Sequence, residues 1–458
     1  MPFNLDRALA YAQNNRQRFL DELIDFVRIP SVSTDPVAKP DMQSAAEWVA
    51  GQLRTLGFEK VQILPTAGHP VVYGENLTAG PDKPTALIYG HYDVQPAEPL
   101  ELWESPPFEP VVRGENLYGR GASDMKGQVL TSLKSAEAWI RNGGLPINVK
   151  YLIEGEEEIG SPNLGEFITA HKSLLACDIA INPDTGMIGA DDPTITYGLR
   201  GLAYFEIRLQ GPEHDLHSGM YGGAVHNPAQ VLCELVAGMH DSQGRVTLPG
   251  YYDRVRPLED EERAEFARLP MDEDFYLKQT GAPALRGEAG YTPVERVEGR
   301  PTLEVNGLLS GFTGEGTKTV LPAKAMAKIS MRLVPDQDPD EVYRQLLQYL
   351  QEKAPDTVRW EVIQMSGGPA SITDIHLPAV TALADALQAT WGKRPIFKRE
   401  GGSVPVVTQM QTELGVESVL TGFGLPDDNL HAPNEKIHLP TYYRGIEAFI
   451  RFYSNLAG

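Results

Sequence analysis

Short apolar runs that end at a histidine or an acid, spaced by helix-length amphipathic segments, constrain this chain more than any other feature. Thr85–Tyr89 reads as a strand and breaks at Gly90-His91. Asn148–Ile153 reads as a second strand, followed by the acidic run Glu154–Glu158, and Asp178–Asn182 as a third that leads into Pro183-Asp184. Between the first two, Val129, Leu133, Ala136 and Ile140 recur at helical spacing and predict a helix over Lys126–Ile140. A capped helix from Ser161 towards Leu175 separates the second and third. Such alternation specifies an α/β sheet with helices on both faces. In open α/β sheets ligands bind outside the carboxyl ends of the strands. His91, Asp93, Glu157, Glu158 and Asp184 all fall at such ends, and Asp124 lies in a Gly-rich loop before a helix.

The remaining chain places that sheet in a larger plan. Helices are predicted around Leu20–Val27, stopping before Pro30, and over Gln43–Leu56. Past Asp184 the pattern changes, because Ala203, Phe205, Ile207 and Leu209 alternate with polar residues, as in a strand with one wet face. A helix at Pro228–Met239 follows, then an irregular stretch, Pro249 to Thr317, rich in Pro, Gly and charge. Strand Ala325–Val334, helix Glu341–Glu352 and strand Val358–Met365 suit a smaller α+β domain. After Gly367-Gly368 the first style returns, with helix Pro378–Trp391, strand Pro395–Lys398, helix Val404–Leu414, strand Ser418–Thr421 and a C-terminal helix. One domain is therefore expected to be interrupted by another: 1–195 and 371–458 form the first, 196–370 the second.

Composition narrows the function. With 40 Lys+Arg against 62 Asp+Glu, the net charge is −22. That balance argues against nucleic acid or an anionic membrane as partner and favours small or neutral ligands, or cations. Two cysteines, Cys177 and Cys233, are too few for a disulfide framework. No apolar run approaches the roughly 20 residues of a membrane span, and Met1–Leu20 lacks the continuous apolar stretch of a signal peptide. A cytoplasmic location is expected.

The polar residues at the strand ends are donors for hard or borderline divalent ions, and two neighbouring ions need about five protein ligands, one of them bridging. Taken singly each has a plainer reading. A His-x-Asp is commonly a surface turn, an acidic run a favourable first helical turn, Asp124 a helix N-cap, Asp184 a turn residue and His431 a loop histidine. Their shared placement at strand ends and adjoining loops favours the metal reading. Competing machinery is missing from the sequence: there is no GxSxG, no HExxH and no Gly-rich loop ending in GK[ST].

Several motifs occur together and in order: Ile29-Pro30-Ser31-Val32-Ser33, Gly90-His91-Tyr92-Asp93-Val94-Gln95-Pro96, Tyr118–Gly127 with Ser123-Asp124-Met125-Lys126-Gly127, Glu157-Glu158-Ile159-Gly160-Ser161, Asp215-Leu216-His217-Ser218-Gly219, Arg332-Leu333-Val334-Pro335, Glu400-Gly401-Gly402-Ser403 and His431-Ala432-Pro433-Asn434-Glu435. Through them the chain resembles the M20 family of metallopeptidases, in the branch of carnosinase and the cytosolic non-specific dipeptidases. The resemblance implies an α/β catalytic domain, a central mixed sheet flanked by helices, interrupted by a smaller α+β lid and dimerisation domain. It implies two divalent ions, zinc or manganese with cobalt also suitable. His91 and Asp184 would bind one, Glu158 and His431 the other, and Asp124 both. Asp93 would orient a ligating histidine, and Glu157 would be the catalytic carboxylate.

The same resemblance assigns Arg332 to grip a free α-carboxylate and Ser403, Gly402 and Thr319 to contact substrate. His217 would stabilise the oxyanion across the interface of a homodimer. The activity implied is hydrolysis of dipeptides or short peptides with a free C-terminus. An N-acyl or N-succinyl amino acid deacylase would use the same machinery, and a metal-stabilised binding protein without turnover is the rival from another class. One departure stands out: Thr185-Gly186 follow Asp184 where carnosinase-like relatives carry an aromatic residue.

Overall fold

The three apolar runs become neighbouring strands covered on both faces. The computed structural model describes residues 3–402 and 405–458. In chain order its main strands are Glu59–Leu64 (β1), Val71–Asn76 (β2), Thr85–His91 (β3), Asn148–Glu154 (β4), Ile179–Asn182 (β5), Thr194–Leu199 (β6), Gly201–Gln210 (β7), Thr302–Ser310 (β8), Lys324–Leu333 (β9), Arg359–Gly368 (β10) and Ser418–Leu420 (β11). The chain divides into two units: Met1–Tyr197, Thr373–Phe397 and Pro405–Gly458 form one, Gly198–Ile372 with Lys398–Val404 the other.

In the first unit the strands lie in the order β1-β2-β4-β3-β5-β11-β6. β3 pairs parallel with both β4 and β5, and β11 parallel with β5, while β1–β2, β2–β4 and β11–β6 are antiparallel. The mixed sheet therefore has a parallel centre. β4 and β5 are buried at every residue, which is why they read as mostly apolar runs without alternation, Lys150 of β4 being buried with its ammonium on the Leu174 and Ala176 carbonyls. The edge strand β1 is charged and half-covered, with a register shift between Glu59 and Gln62 that discourages pairing with another chain.

Helix Gln128–Ile140 is buried along all but its last residue and packs against helix Leu439–Leu456, which also packs against Pro378–Trp391. The Trp139 indole N–H donates to the Ile450 carbonyl at 3.0 Å, so the largest side chain of this core is also fixed in direction. Its truncation to Ala should cost about 3–5 kcal/mol. Lys134, on the same helix, is buried and balanced by Glu22 and by Glu137 at 3.2 Å.

The second unit is a four-stranded antiparallel sheet, β8-β9-β7-β10. Phe205, Ile207, Leu209, Ala327, Ile329 and Met331 face helices Pro228–Gly238 and Pro339–Lys353, closing a core with Val231, Leu235, Leu346 and Leu350. The alternate residues of β7 and β9, among them Arg208, Lys328, Ser330 and Arg332, lie on the opposite face.

Four differences from the sequence expectations have local causes. The helix expected from Lys126 starts at Gln128, because Asp124 and Met125 leave helical geometry within Ala122–Gly127. The helix expected over Ser161–Leu175 is two, Leu164–Ala170 and Lys172–Leu175, broken at His171. The one expected over Val404–Leu414 is Pro405–Gln409 followed by the wider turn Met410–Leu414, and Val404 lies outside the described residues. The stretch 249–317, expected to be irregular, holds helices Asp260–Phe266 and Glu273–Thr280 and all of β8. As an edge strand with a register shift between Val305 and Gly307, β8 lacks the period-two burial that would have marked it.

Candidate metal centre

Because β4, β3 and β5 are adjacent and parallel, their carboxyl ends open side by side, and each delivers an acid or a histidine. His91 is the last residue of β3 and wholly buried. Its Nδ1 lies 3.0 Å from the Asp93 carbonyl oxygen and 3.3 Å from Asp93 Oδ1. A proton held there leaves Nε2 with its lone pair exposed to the site. That Nε2 is buried without a hydrogen-bond partner, although Asp124 Oδ1 and Asp184 Oδ2 stand 3.2 and 3.8 Å away. Asp93 serves a second purpose. Its two carboxylate oxygens accept the backbone N–H groups of Glu157 (3.3 Å) and Glu158 (3.1 Å), tying the turn after β4 to the histidine of β3.

The other half of the cluster comes from loops. Asp124 projects from the irregular segment before helix Gln128–Ile140, and its Oδ2 lies 3.0 Å from His431 Nε2. Glu158 Oε2 is 3.3 Å from the same nitrogen. His91, Asp124 and Asp184 form one group of donor atoms within 4.8 Å of one another, and Asp124, Glu158 and His431 form another, so Asp124 belongs to both. Glu157 stands outside both groups. In the acidic run, Glu154 is bound by the Tyr89 and Ser161 hydroxyls (2.7 and 2.8 Å) and Glu156 by the Asn163 amide (2.9 and 3.0 Å). Only Glu157 and Glu158 are left to the cluster.

Electrostatics supplies the test of fit. Asp93, Asp124, Glu157, Glu158 and Asp184 set five carboxyl groups against the two imidazoles of His91 and His431. Burial pushes the Asp184 carboxyl well above its ordinary range, and Asp124, Glu157 and Glu158 push it the same way. Burial likewise raises Glu157 to about 7, with Glu158, Asp124 and Asp93 adding to it and His91 opposing. Hydrogen bonds to Asp124 and Glu158 raise His431 to about 10. Burial alone would depress His91, but Asp124, Asp93 and Asp184 overcome it and raise the imidazole well above its usual value. The protein fold alone thus balances its acids by holding protons. Cations would replace those protons, and the mixed His/carboxylate donor set suits borderline or hard divalent ions. The residues fit a pair of such ions.

The structure brings together seven of the residues singled out from the sequence: His91, Asp93, Asp124, Glu157, Glu158, Asp184 and His431. Arg332, His217, Thr319 and Gly402 lie in the second unit, at three places. Arg332, half-buried on β9, lines a cavity of about 850 Å3 with Arg200, His240, Arg300 and Ser330. His217 is exposed, and its Nδ1 accepts the Gly219 N–H at 3.0 Å. Thr319 adjoins it, accepting the Ser218 N–H on its carbonyl at 3.1 Å. Gly402 is exposed with open space where a side chain would stand, and Ser403 lies outside the described residues. One supporting residue was missed by the sequence reading. Gln95 donates from Nε2 to Glu158 Oε2 (2.9 Å) and to the Glu158 carbonyl (3.2 Å). Its only signal was its place in the same turn as His91 and Asp93.

Comparison with known proteins agrees with this geometry. The profile of the peptidase family M20/M25/M40 matches residues 87–455. A Cys-Gly metallodipeptidase of Candida albicans is 33% identical over 451 residues, covering 94% of this chain and 93% of that protein. The human Beta-Ala-His dipeptidase is 30% identical, covering 100% and 93%. Among solved structures, the M20 family metallo-carboxypeptidase Sso-CP2 from Sulfolobus solfataricus superposes with a TM-score of 0.83 at 33% identity, covering 96% of this chain and 99% of that one. With its strand-end donors in place and its sequence matched over most of its length, the chain belongs to the M20/M25/M40 family of peptidases.

Proposed function

We propose that this protein is a two-cation hydrolase that cleaves the peptide bond of dipeptides or short peptides bearing a free C-terminal carboxylate. The observation that carries the reading is Asp124 shared by two donor groups, with Glu157 beside them and in neither. His91 and Asp184 would hold one ion, Glu158 and His431 the other, and Asp124 both, with zinc, manganese or cobalt suiting these donors. Bound there, the ions would supply Lewis acidity, polarising the scissile carbonyl and lowering the proton affinity of a water molecule.

The chain's own residues do the rest. Glu157 takes the proton of that water at its carboxylate and returns it to the leaving nitrogen, so that the amine departs neutral. Cation charge nearby favours the ionised, base-ready form of Glu157 over the protonated form that burial favours. Asp93 keeps His91 in one tautomer and one orientation. In the second unit, 196–370 by the sequence reading, Arg332 forks the substrate carboxylate, with Thr319, Gly402 and Ser403 as further contacts. His217 would stabilise the developing oxyanion in the active site of a second copy, making the enzyme a homodimer whose smaller domains are both lid and interface. The exposure of His217 beside Met220 (72% exposed) and Tyr221 (42%) supports a covered surface there. A cytoplasmic setting, where thiols stay reduced, suits the free Cys177 and Cys233.

The named activities of the relatives, two dipeptidases and a carboxypeptidase, favour peptides over N-acyl amino acids. The test is a panel of dipeptides, their C-terminal amides, and N-acetyl and N-succinyl amino acids, each with chelator and then with zinc or manganese restored. Dipeptide hydrolysis abolished by chelator and recovered with metal is expected. Preferential turnover of the acylated amino acids would make the protein a deacylase, and no turnover at all would leave a binding protein.

A further inference from the structure

The loop that carries His431 needs holding. Asn429, His431 and Asn434 all adopt left-handed backbone, with φ of 56, 58 and 61°. Side chains with a Cβ resist that conformation. Packing does little for the histidine itself, whose side chain is 55% exposed. What brackets the loop is a pair of carboxylates, Asp428 before it and Glu435 after it, both with no solvent exposure.

Both carboxylates reach the segment that ends at Asp124. Glu435 Oε1 accepts the backbone N–H groups of Ser123 (3.0 Å) and Asp124 (3.1 Å). Its Oε2 accepts the Gly121 N–H (3.0 Å) and the Arg120 guanidinium (2.7 Å). Asp428 Oδ2 accepts the Ser123 hydroxyl and the Leu425 N–H, each at 2.8 Å, and its Oδ1 the Lys436 ammonium at 3.0 Å. A carboxylate needed only to neutralise Arg120 would not also collect three backbone N–H groups from residues 121–124. Those bonds fix the backbone from which Asp124 projects, and they originate four residues from His431.

We propose that Glu435, with Asp428 as its companion, is the positioning residue of the Asp124–Glu158–His431 pocket: it sets the backbone of Asp124 against the loop of His431, and so the span those donors close around an ion. The inference rests on the two-cation reading of the site. The other pocket is less dependent on the clamp, since His91 and Asp184 are placed by the ends of β3 and β5 and share only Asp124 with it.

Glu435→Gln keeps the shape but turns an NH2 towards two of the four donors, setting donor against donor. Metal-free wild type and variant are titrated calorimetrically with zinc and with manganese, and the visible spectra of their cobalt-loaded forms are recorded. Wild type should bind two equivalents. In the variant one step should weaken by about 10–100-fold, the usual effect of losing a residue that orients a ligand, while the other changes far less. The cobalt spectrum of the weakened equivalent should alter, and kcat for a dipeptide should fall while KM stays near its wild-type value. Asp428→Asn should shift the same step in the same direction by a smaller factor, and it provides the readout if the first variant does not fold. Two unchanged binding steps in a folded variant would overturn the proposal, as would equal weakening of both steps alongside a lowered melting temperature of the metal-free protein. Failure of wild type to bind two ions would instead defeat the two-cation reading on which the clamp depends.

Discussion

The two units place their functional groups in opposite ways. In the first, His91 and Asp93 are fully buried, Asp124, Glu158 and Asp184 are largely covered, and carboxylates fix the turns that carry Glu158 and Asp124; His431 alone is exposed, on a loop bracketed by the buried Asp428 and Glu435. In the second, the residues expected to meet substrate are half-buried or exposed: Arg332 lines an open cavity whose wall includes the buried Glu288–Arg300 pair, and His217 and Gly402 stand in solvent. Donors that must close on an ion within a few tenths of an ångström need rigid elements and supporting hydrogen bonds, whereas contacts to a substrate can tighten when it arrives. On the proposed reading the first unit performs the chemistry and the second recognises the substrate, a division open to direct test.

The largest effect should come from the first unit. Glu157→Gln keeps the size and the backbone bond to Asp93 but cannot accept a proton, so kcat should fall by about 10²–10⁴. Metal stoichiometry and substrate KM should change little, because Glu157 lies outside both donor groups. Turnover within threefold of wild type, measured on metal-replete variant, would remove the general-base role and with it the claim that the first unit performs the chemistry.

A smaller and more selective loss should follow in the second unit. Arg332→Ala removes a charge-assisted contact of about 2–3 kcal/mol, roughly 30–150-fold in kcat/KM, for dipeptides with a free carboxylate. The loss should appear mainly in KM, because the carboxylate is gripped alike in ground and transition states. C-terminal amides, already poor substrates, should lose little further. Equal losses for acids and amides would mean that Arg332 shapes the fold of the cavity rather than reading the substrate's charge.

The same contrast decided what could be read from the sequence. β3, β4 and β5 were legible because strands covered on both faces appear as largely apolar runs without alternation, and the site followed because an acid or histidine stands at or just past the end of each. The irregular geometry at Asp124 and Met125 was not legible, since the residues that follow them carry an ordinary helical pattern. Gln95 was passed over because an amide carries no metal signature by itself, and its bond to Glu158 exists only in three dimensions. β8 was lost because an edge strand exposing Leu308 and Leu309 has no alternation to detect. Arg332 and His217 stood out only through the motifs around them, because a half-buried Arg on an alternating strand and an exposed His on a two-residue strand carry no pattern of their own.

The smallest effect concerns a buried acid in the second unit that has no part in the chemistry. Glu298 has an unpartnered Oε2, and its carboxyl is raised to about 8, chiefly by burial and then by Glu400, against Lys398, the Arg399 backbone and Arg200. With the folded value above the unfolded one, the folded chain keeps a proton that the unfolded chain has shed. Stability from this group is complete below about pH 4.5 and is lost as pH rises towards 8. Between pH 7 and pH 9 the remaining part is about 1 kcal/mol. Glu298→Gln, which is neutral throughout, should therefore shrink the fall in unfolding free energy from urea titration between those two pH values by about that amount and leave dipeptide turnover at pH 7 unchanged. An identical pH dependence in both proteins would show that Glu298 is already ionised in the fold. The second unit would then hold a buried ionised acid in addition to its paired Glu288–Arg300, and the difference in burial between the units would narrow.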